Sequence, residues 1–228
     1  MYRVQVKICG LSEEEHVAAA AEAGADYIGF VFAESRRRVS SERAARLRSV
    51  LDSQSSGPSV VGVFVNEPPE MVNAVAERCR LDLVQLGGDE SSEYCARIEW
   101  PLMKTVKVFP GMTARDVERT IASLSRTATN PPLRFLLDTG SHAQLGGTGH
   151  TFDWRIAREI SAGHPVFVAG GLDPSCVGDL IASVHPYGVD VSSGVERDGS
   201  KDTSLIRAFV QAVRRAEQEI RDAEDTAS

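Results

Sequence analysis

Cysteine is scarce in this chain and thinly spread. Cys9, Cys79, Cys95 and Cys176 contain no Cys-x-x-Cys pair. That argues against a disulfide framework or a zinc site and favours a reducing, cytoplasmic setting. His16, His142, His150, His164 and His185 show no metal-ligand spacing, so no metal is expected. No apolar run approaches the ~18–20 residues that span a membrane, and the opening MYRVQVKICG lacks a signal-peptide layout. Positive charge is also in deficit. Lys and Arg total 25 against 32 Asp and Glu, a net charge of −7. Neither nucleic acid nor an anionic membrane surface is a natural partner for such a chain. No apolar patch is evident, so a monomer is the default, with a homodimer as the alternative.

What the chain does have is a repeated plan. It is clearest from Leu133 to His142, LRFLLDTGSH, followed by GGTGHTFDW from Gly146 to Trp154. An apolar run ends in the carboxylate of Asp138, and a glycine-rich turn then leads to a helix near Asp153. The same pattern recurs along the chain. Strands are predicted at Val4–Ile8, Tyr27–Phe32, Val60–Val65, Leu81–Leu86, Leu102–Val108, Leu133–Asp138, Pro165–Ala169 and Gly188–Val191. Helices alternate with them. Ser12 with Glu15 reads as a capping box for the first, and Gly24 closes it. Thr113 caps the fifth, which runs to Leu124, and the fourth is expected over Glu90–Ile98. Asp173-Pro174 opens the seventh, and the last covers about Asp202–Glu219.

Eight strand–helix units without a dividing linker imply an α/β fold. The expectation is a single-domain (β/α)8 TIM barrel over residues 1–220, with 221–228 as a frayed tail. An open doubly wound sheet is the runner-up.

Strand side chains alternate in direction. Val4, Val6 and Ile8 should pack under helices, while Lys7 and Cys9 face into the barrel. By the same reasoning Asp138, Asp190, Ser192, Gln85 and Gly87 face inward at carboxyl-terminal strand ends, where barrel active sites are built. An isolated cysteine is ordinarily inert packing. Cys9 differs in its strand-end position and in having Lys7 two residues away on the same face, a cation that would lower its pKa. Cys9 is therefore the candidate base and Asp138 the candidate acid. Three loops could bind phosphate through backbone N–H groups: Gly146–Gly149, Ala169–Leu172 and Ser192–Gly194. The last two follow the seventh and eighth strands, the usual barrel phosphate site. Ser35-Arg36-Arg37-Arg38 follows the second strand and could grip a carboxylate.

Assembled in order, these pieces resemble the phosphoribosylanthranilate isomerases of tryptophan biosynthesis. The resemblance rests on VKICG (Val6 to Gly10), GADYIGFVF (Gly24 to Phe32), VGVFVN (Val61 to Asn66), VQLGGDE (Val84 to Glu90), LLDT, GGTGHTFDW, AGGL and VDVSSGVE, with GSKD just after. It implies a cofactor-free enzyme that rearranges N-(5-phosphoribosyl)anthranilate, a small phosphosugar substrate, to an aminoketose. By this resemblance Cys9 takes the C2 proton and Asp138 protonates the ring oxygen. Arg37 holds the substrate carboxylate, and Gly147, Gly149, Gly170, Gly171, Ser193 and Gly194 hold the phosphate. Lys7, Gln85 and Asp190 line the sugar and aromatic pocket. The chain departs from the family pattern in three places. Gly87 replaces the usual histidine of VQLHG and enlarges the pocket, and His150 replaces the usual lysine of GGTGK. The loop AESRRR is slightly shorter than the common form, which leaves Arg36 and Arg38 as alternatives to Arg37. The alternative functions are a paralogue working on a related aminoaldose phosphate or a substituted anthranilate, and a barrel that binds a phosphosugar without catalysis.

Overall fold

The computed structural model describes residues 3–52, 57–126, 133–139 and 153–227. β1 (Gln5–Cys9) shows the rule that shapes the rest. Val6 and Ile8 point outward and are fully buried in the layer between sheet and helices, whereas Lys7 and Cys9 point inward. After α1 (Glu14–Glu22) come β2 (Tyr27–Val31), α2 (Ser41–Ser49), β3 (Ser59–Phe64), α3 (Pro69–Arg78) and β4 (Leu83–Leu86). The chain continues through α4 (Ser92–Cys95), β5 (Leu102–Val108), α5 (Ala114–Ser125), β6 (Leu133–Thr139) and α6 (Trp154–Ser161). β7 (Val166–Val168), α7 (Val177–Val184) and β8 (Gly188–Val191) complete the ring. A 3-10 turn (Ser193–Val195), the two-residue strands β9 (Glu196–Arg197) and β10 (Ser200–Lys201), and α8 (Thr203–Ala227) follow.

The eight long strands form one closed parallel barrel, so the open-sheet alternative is set aside. Closure comes where β1 pairs with β8, Lys7 opposite Asp190 and Ile8 opposite Val191. The barrel interior is filled below the site by Tyr27, Val61, Leu83, Met103, Leu136 and Phe167. Tyr27 meets Phe167 edge to face at 5.5 Å, a favoured aromatic geometry. Gly188 leaves room for Phe167, because a Cβ there would strike its ring. This plug makes the barrel solid at its amino end and confines any cavity to the carboxyl end.

Local signals hold at some helix ends and give way at others. Thr113 caps α5 as expected and forms a capping box with Asp116, and Gly24 sits just past α1 at φ 85°. Ser12 does not cap α1. Glu13 occupies that position without a side-chain cap bond, because Glu13 and Glu14 both turn to Arg43 of α2. Asp173 caps the turn ahead of α7 through the Ser175 and Cys176 N–H groups, so the helix starts later than expected. α4 is a single turn, because Glu90 is drawn inward to Lys104. α8 continues through most of the segment expected to fray. Its exposed last turns carry bonds from Gln218 to Asp222 and from Arg221 to Gln218.

Candidate active site

A cavity of 720 Å³ opens at the carboxyl end of the barrel. Cys9, Arg37, Gln85, Asp138, Gly170, Gly171, Asp190 and Ser193 all line it. With Val63 from β3 and Thr105 from β5, every βα unit of the ring contributes to its wall, as strand alternation predicted. Gly147 and Gly149, like His150, lie outside the described residues.

Cys9 ends β1 opposite Gly29 of β2. A Cβ on Gly29 would stand 2.9 Å from the Cys9 sulfur, 3.2 Å from its Cα and 3.3 Å from Lys7 Nζ. The glycine is thus what lets both β1 side chains lean across β2. Lys7 itself is fully buried beneath the cavity and does not line it, a correction to its expected place in the substrate pocket. Its Nζ donates to Asp190 Oδ1 at 2.8 Å. Burial alone would lower its pKa, but Asp190 and Cys9 hold it up to about 12.

The charge state of Cys9 differs from the expectation. Burial pushes the thiol up, and the opposing pull of Lys7 does not overcome it. Lys7 is already matched by Asp190, whose own charge disfavours a thiolate. Asp138 is raised to about 6, by burial first and then by the nearby Asp190 carboxylate. The Thr139 N–H, donating to Asp138 Oδ1 at 2.8 Å, and Lys107 limit the rise. Lys107 is the register partner of Asp138 on β5. The site therefore presents a carboxyl able to hold a proton near neutrality and a thiol whose ionisation burial disfavours.

Of the three consecutive arginines, Arg37 lines the cavity, while Arg36 and Arg38 lie outside it. Gly10, at φ 77°, makes way for it, since a Cβ there would lie 2.6 Å from Arg37 Cδ. Arg37 Nε donates to Glu196 Oε1 at 2.6 Å and Nη2 to Oε2 at 3.1 Å, a bidentate clamp. Lys201 Nζ reaches the same carboxylate at 3.0 Å and the Ser192 carbonyl at 2.7 Å. Burial would raise the Glu196 pKa, but Arg37 and Lys201 hold it below its ordinary value.

The loops after β7 and β8 add a further part of the rim. Gly170 and Gly171 take φ 92° and 68°, which turns the chain sharply over the strand ends. Gly170 also passes close to Asp138, with a Cβ there falling 3.0 Å from Oδ1. Gly194 does not line the cavity. It lies against the Leu172 backbone so tightly that no side chain would fit, and so joins the two loops. Val31, Ala33, Val63 and Val65 form an apolar stretch of the wall.

Sequence reasoning missed Glu196, Lys201, Thr105 and Lys107 as members of this site or its support. A signal for the first two exists. Asp198-Gly199 is a strong two-residue hairpin turn, and it sets Glu196 opposite Lys201.

A protein-family model described as N-(5'phosphoribosyl)anthranilate (PRA) isomerase matches residues 6–212. The N-(5'-phosphoribosyl)anthranilate isomerase of Dehalococcoides mccartyi is 44% identical over 214 residues, covering 94% of this chain and 97% of that one. Phosphoribosyl anthranilate isomerase from Thermotoga maritima superposes with a TM-score of 0.80 at 36% identity, over 93% of this chain and 99% of that one. A phosphoribosyl anthranilate isomerase solved with reduced 1-(o-carboxyphenylamino)-1-deoxyribulose 5-phosphate superposes with a TM-score of 0.77 at 35% identity, with the same coverage. With a closed barrel, a thiol and a carboxyl facing one cavity, and this breadth of similarity, the chain belongs to the phosphoribosylanthranilate isomerase family.

Proposed function

We propose that this cavity converts N-(5-phosphoribosyl)anthranilate to 1-(2-carboxyphenylamino)-1-deoxyribulose 5-phosphate, the Amadori step of tryptophan biosynthesis, with Asp138 as acid and Cys9 as base. The observation that carries the reading is the pairing of a carboxyl raised to about 6 with a thiol on the same cavity wall. Asp138 delivers its proton to the ribose ring oxygen, and the C1–O bond breaks. The cation that forms at C1 and nitrogen acidifies the C2 proton. Burial disfavours a thiolate at Cys9, so the reactive fraction of the enzyme is the one in which Asp138 carries the proton and Cys9 has already lost its own. Cys9 removes the C2 proton, and the resulting enolamine tautomerises to the ketone. The chemistry calls for one positioned acid and one positioned base.

The phosphate sits at Gly170, Gly171 and Ser193, with Gly194 holding the two loops together and Gly147 and Gly149 contributing from the loop after β6. Arg37 takes the anthranilate carboxylate, and the ring lies against Val31, Ala33, Val63 and Val65. Asp190 and Gln85 border the sugar and the ring. A monomer is the default reading, and a homodimer, as in the dimeric Thermotoga maritima relative, is the alternative. The working compartment is the cytoplasm, where Cys9 stays reduced.

The test follows the fluorescence of freshly generated phosphoribosylanthranilate. Wild type should turn it over without added metal or nucleotide. Cys9→Ser and Asp138→Asn should each lose at least ~100-fold. A wild type without activity, or a Cys9→Ser variant that keeps full activity, would overturn the assignment.

A further inference from the structure

Gly87 has no structural reason to be glycine. Its φ is not in the left-handed region. A Cβ there would meet only Val65 Cγ2 at 3.4 Å and the Phe64 carbonyl at 3.6 Å, both ordinary contacts. The other tight glycines near the site are different. Gly29 would collide with Cys9, Gly170 with Thr139, and Gly88 with Asn66. Gly87 alone among these leaves usable space, and that space opens into the cavity beside Val65, on the apolar wall.

The backbone behind this space is held in place. Lys104 Nζ donates to the Gly88 carbonyl at 2.7 Å and to Glu90 Oε2 at 3.0 Å. Glu90 Oε1 in turn accepts from the Asn66 N–H at 2.8 Å and the Gly88 N–H at 3.2 Å. A buried ion pair thus pins the loops after β3 and β4, so the gap does not collapse. The preceding residue on the inward face is Gln85, only 6% exposed. Its Nε2 donates to Thr105 Oγ1 at 3.2 Å, and its Oε1 has no partner among the described residues. Glu67, a further acceptor, lines the same cavity. A buried acceptor without a partner costs free energy unless something donates to it.

We infer that the space over Gly87 is a subsite for a hydrogen-bond-donating substituent on the aromatic ring of the substrate, with Gln85 Oε1 as its acceptor. The enzyme then takes phosphoribosylated hydroxyanthranilates as well as the unsubstituted compound. This rests on the reading above that the aromatic ring lies on the Val31–Val65 wall.

The test condenses each ring-hydroxylated and each ring-methylated anthranilate with ribose 5-phosphate and measures kcat/KM for the products beside the unsubstituted substrate. At least one hydroxyl isomer should react within about thirtyfold of the unsubstituted compound in wild type. For that isomer, the ratio of hydroxylated to methylated substrate should fall about tenfold in Gln85→Met, the worth of one net hydrogen bond. In Gly87→Val the ratio of hydroxylated to unsubstituted substrate should fall at least as far. Ratios on one variant cancel any loss of folded protein. Wild type that processes the unsubstituted substrate but rejects every hydroxyl isomer beyond thirtyfold overturns the subsite and leaves the isomerase reading standing. Ratios unmoved by both substitutions also overturn it. A wild type inactive on the unsubstituted compound overturns both.

Discussion

Replacing the candidate acid should make the protein more stable. Asp138 has a pKa of about 6 in the fold. In the unfolded chain the value is about 3.9. Folding therefore favours its protonated form. The stability linked to that proton is fully present below about pH 4 and is lost as pH rises through about 6. Two pH units at 1.36 kcal/mol each give about 3 kcal/mol, and a carboxyl with one side open to the cavity keeps nearer 2 kcal/mol. An asparagine in its place would be nearly isosteric, would still accept from the Thr139 N–H, and would carry no charge to desolvate. Asp138→Asn should then unfold later than wild type at pH 8, by roughly 4–8 °C for a chain of this size. The gain should fade as pH falls through 6 and vanish near pH 4. Thermal unfolding followed by circular dichroism at pH 4.5, 6 and 8 would measure it. A variant no more stable at pH 8, or a gain undiminished at low pH, would refute the claim that burial and Asp190 hold this carboxyl up.

Four further expectations concern catalysis. The reaction needs Asp138 protonated and Cys9 ionised, the reverse of their resting preference. The kcat/KM profile should therefore be a broad plateau with its acid limb near pH 6 and its alkaline limb above the ordinary thiol value of about 8.5. In Asp190→Asn the acid limb should move down by on the order of 1 pH unit, because a neighbouring like charge is gone; a limb that stays put would rule out that coupling. Gly29→Ala should cost about 1–3 kcal/mol of stability from overpacking. It should also cost on the order of 100-fold in kcat/KM by displacing the Cys9 sulfur; wild-type kinetics would contradict the close approach. Glu196→Gln should raise KM about tenfold with kcat changed much less, since Arg37 loses the partner that aims it. An equal fall in kcat would mean that Glu196 touches the chemistry instead.

How much of this was legible in the sequence depended on range. The two-residue period of strands is local, so Cys9, Asp138, Asp190 and Gln85 could be placed on the inward face from their neighbours alone. The glycine loops after β7 and β8 were legible for the same reason, through glycines next to strand ends. The charge state of Cys9 was not. Lys7 is visible two residues away, but its pairing with Asp190 spans 183 positions, and burial is a property of the whole barrel. The partner of Arg37 was hidden in the same way, lying 159 positions on. Glu90 looked like the start of a helix because nothing near it announces a buried lysine on β5.

The seam between β1 and β8 has a consequence for how the molecule comes into being. Cys9, the proposed base, is synthesised long before Asp190 and Lys201, the groups that set its surroundings. The amino end of β1 is held no sooner: the Val4 N–H donates to Glu217 and its carbonyl accepts from Arg214, both on α8. A nascent chain still short of Asp190 carries Lys7 without its counter-ion and β1 with one edge unpaired, so it has an incomplete ring and no site. Contacts this distant in sequence slow folding and leave the growing chain exposed to wrong pairings. The proposed site is therefore complete only once β8 has closed against β1.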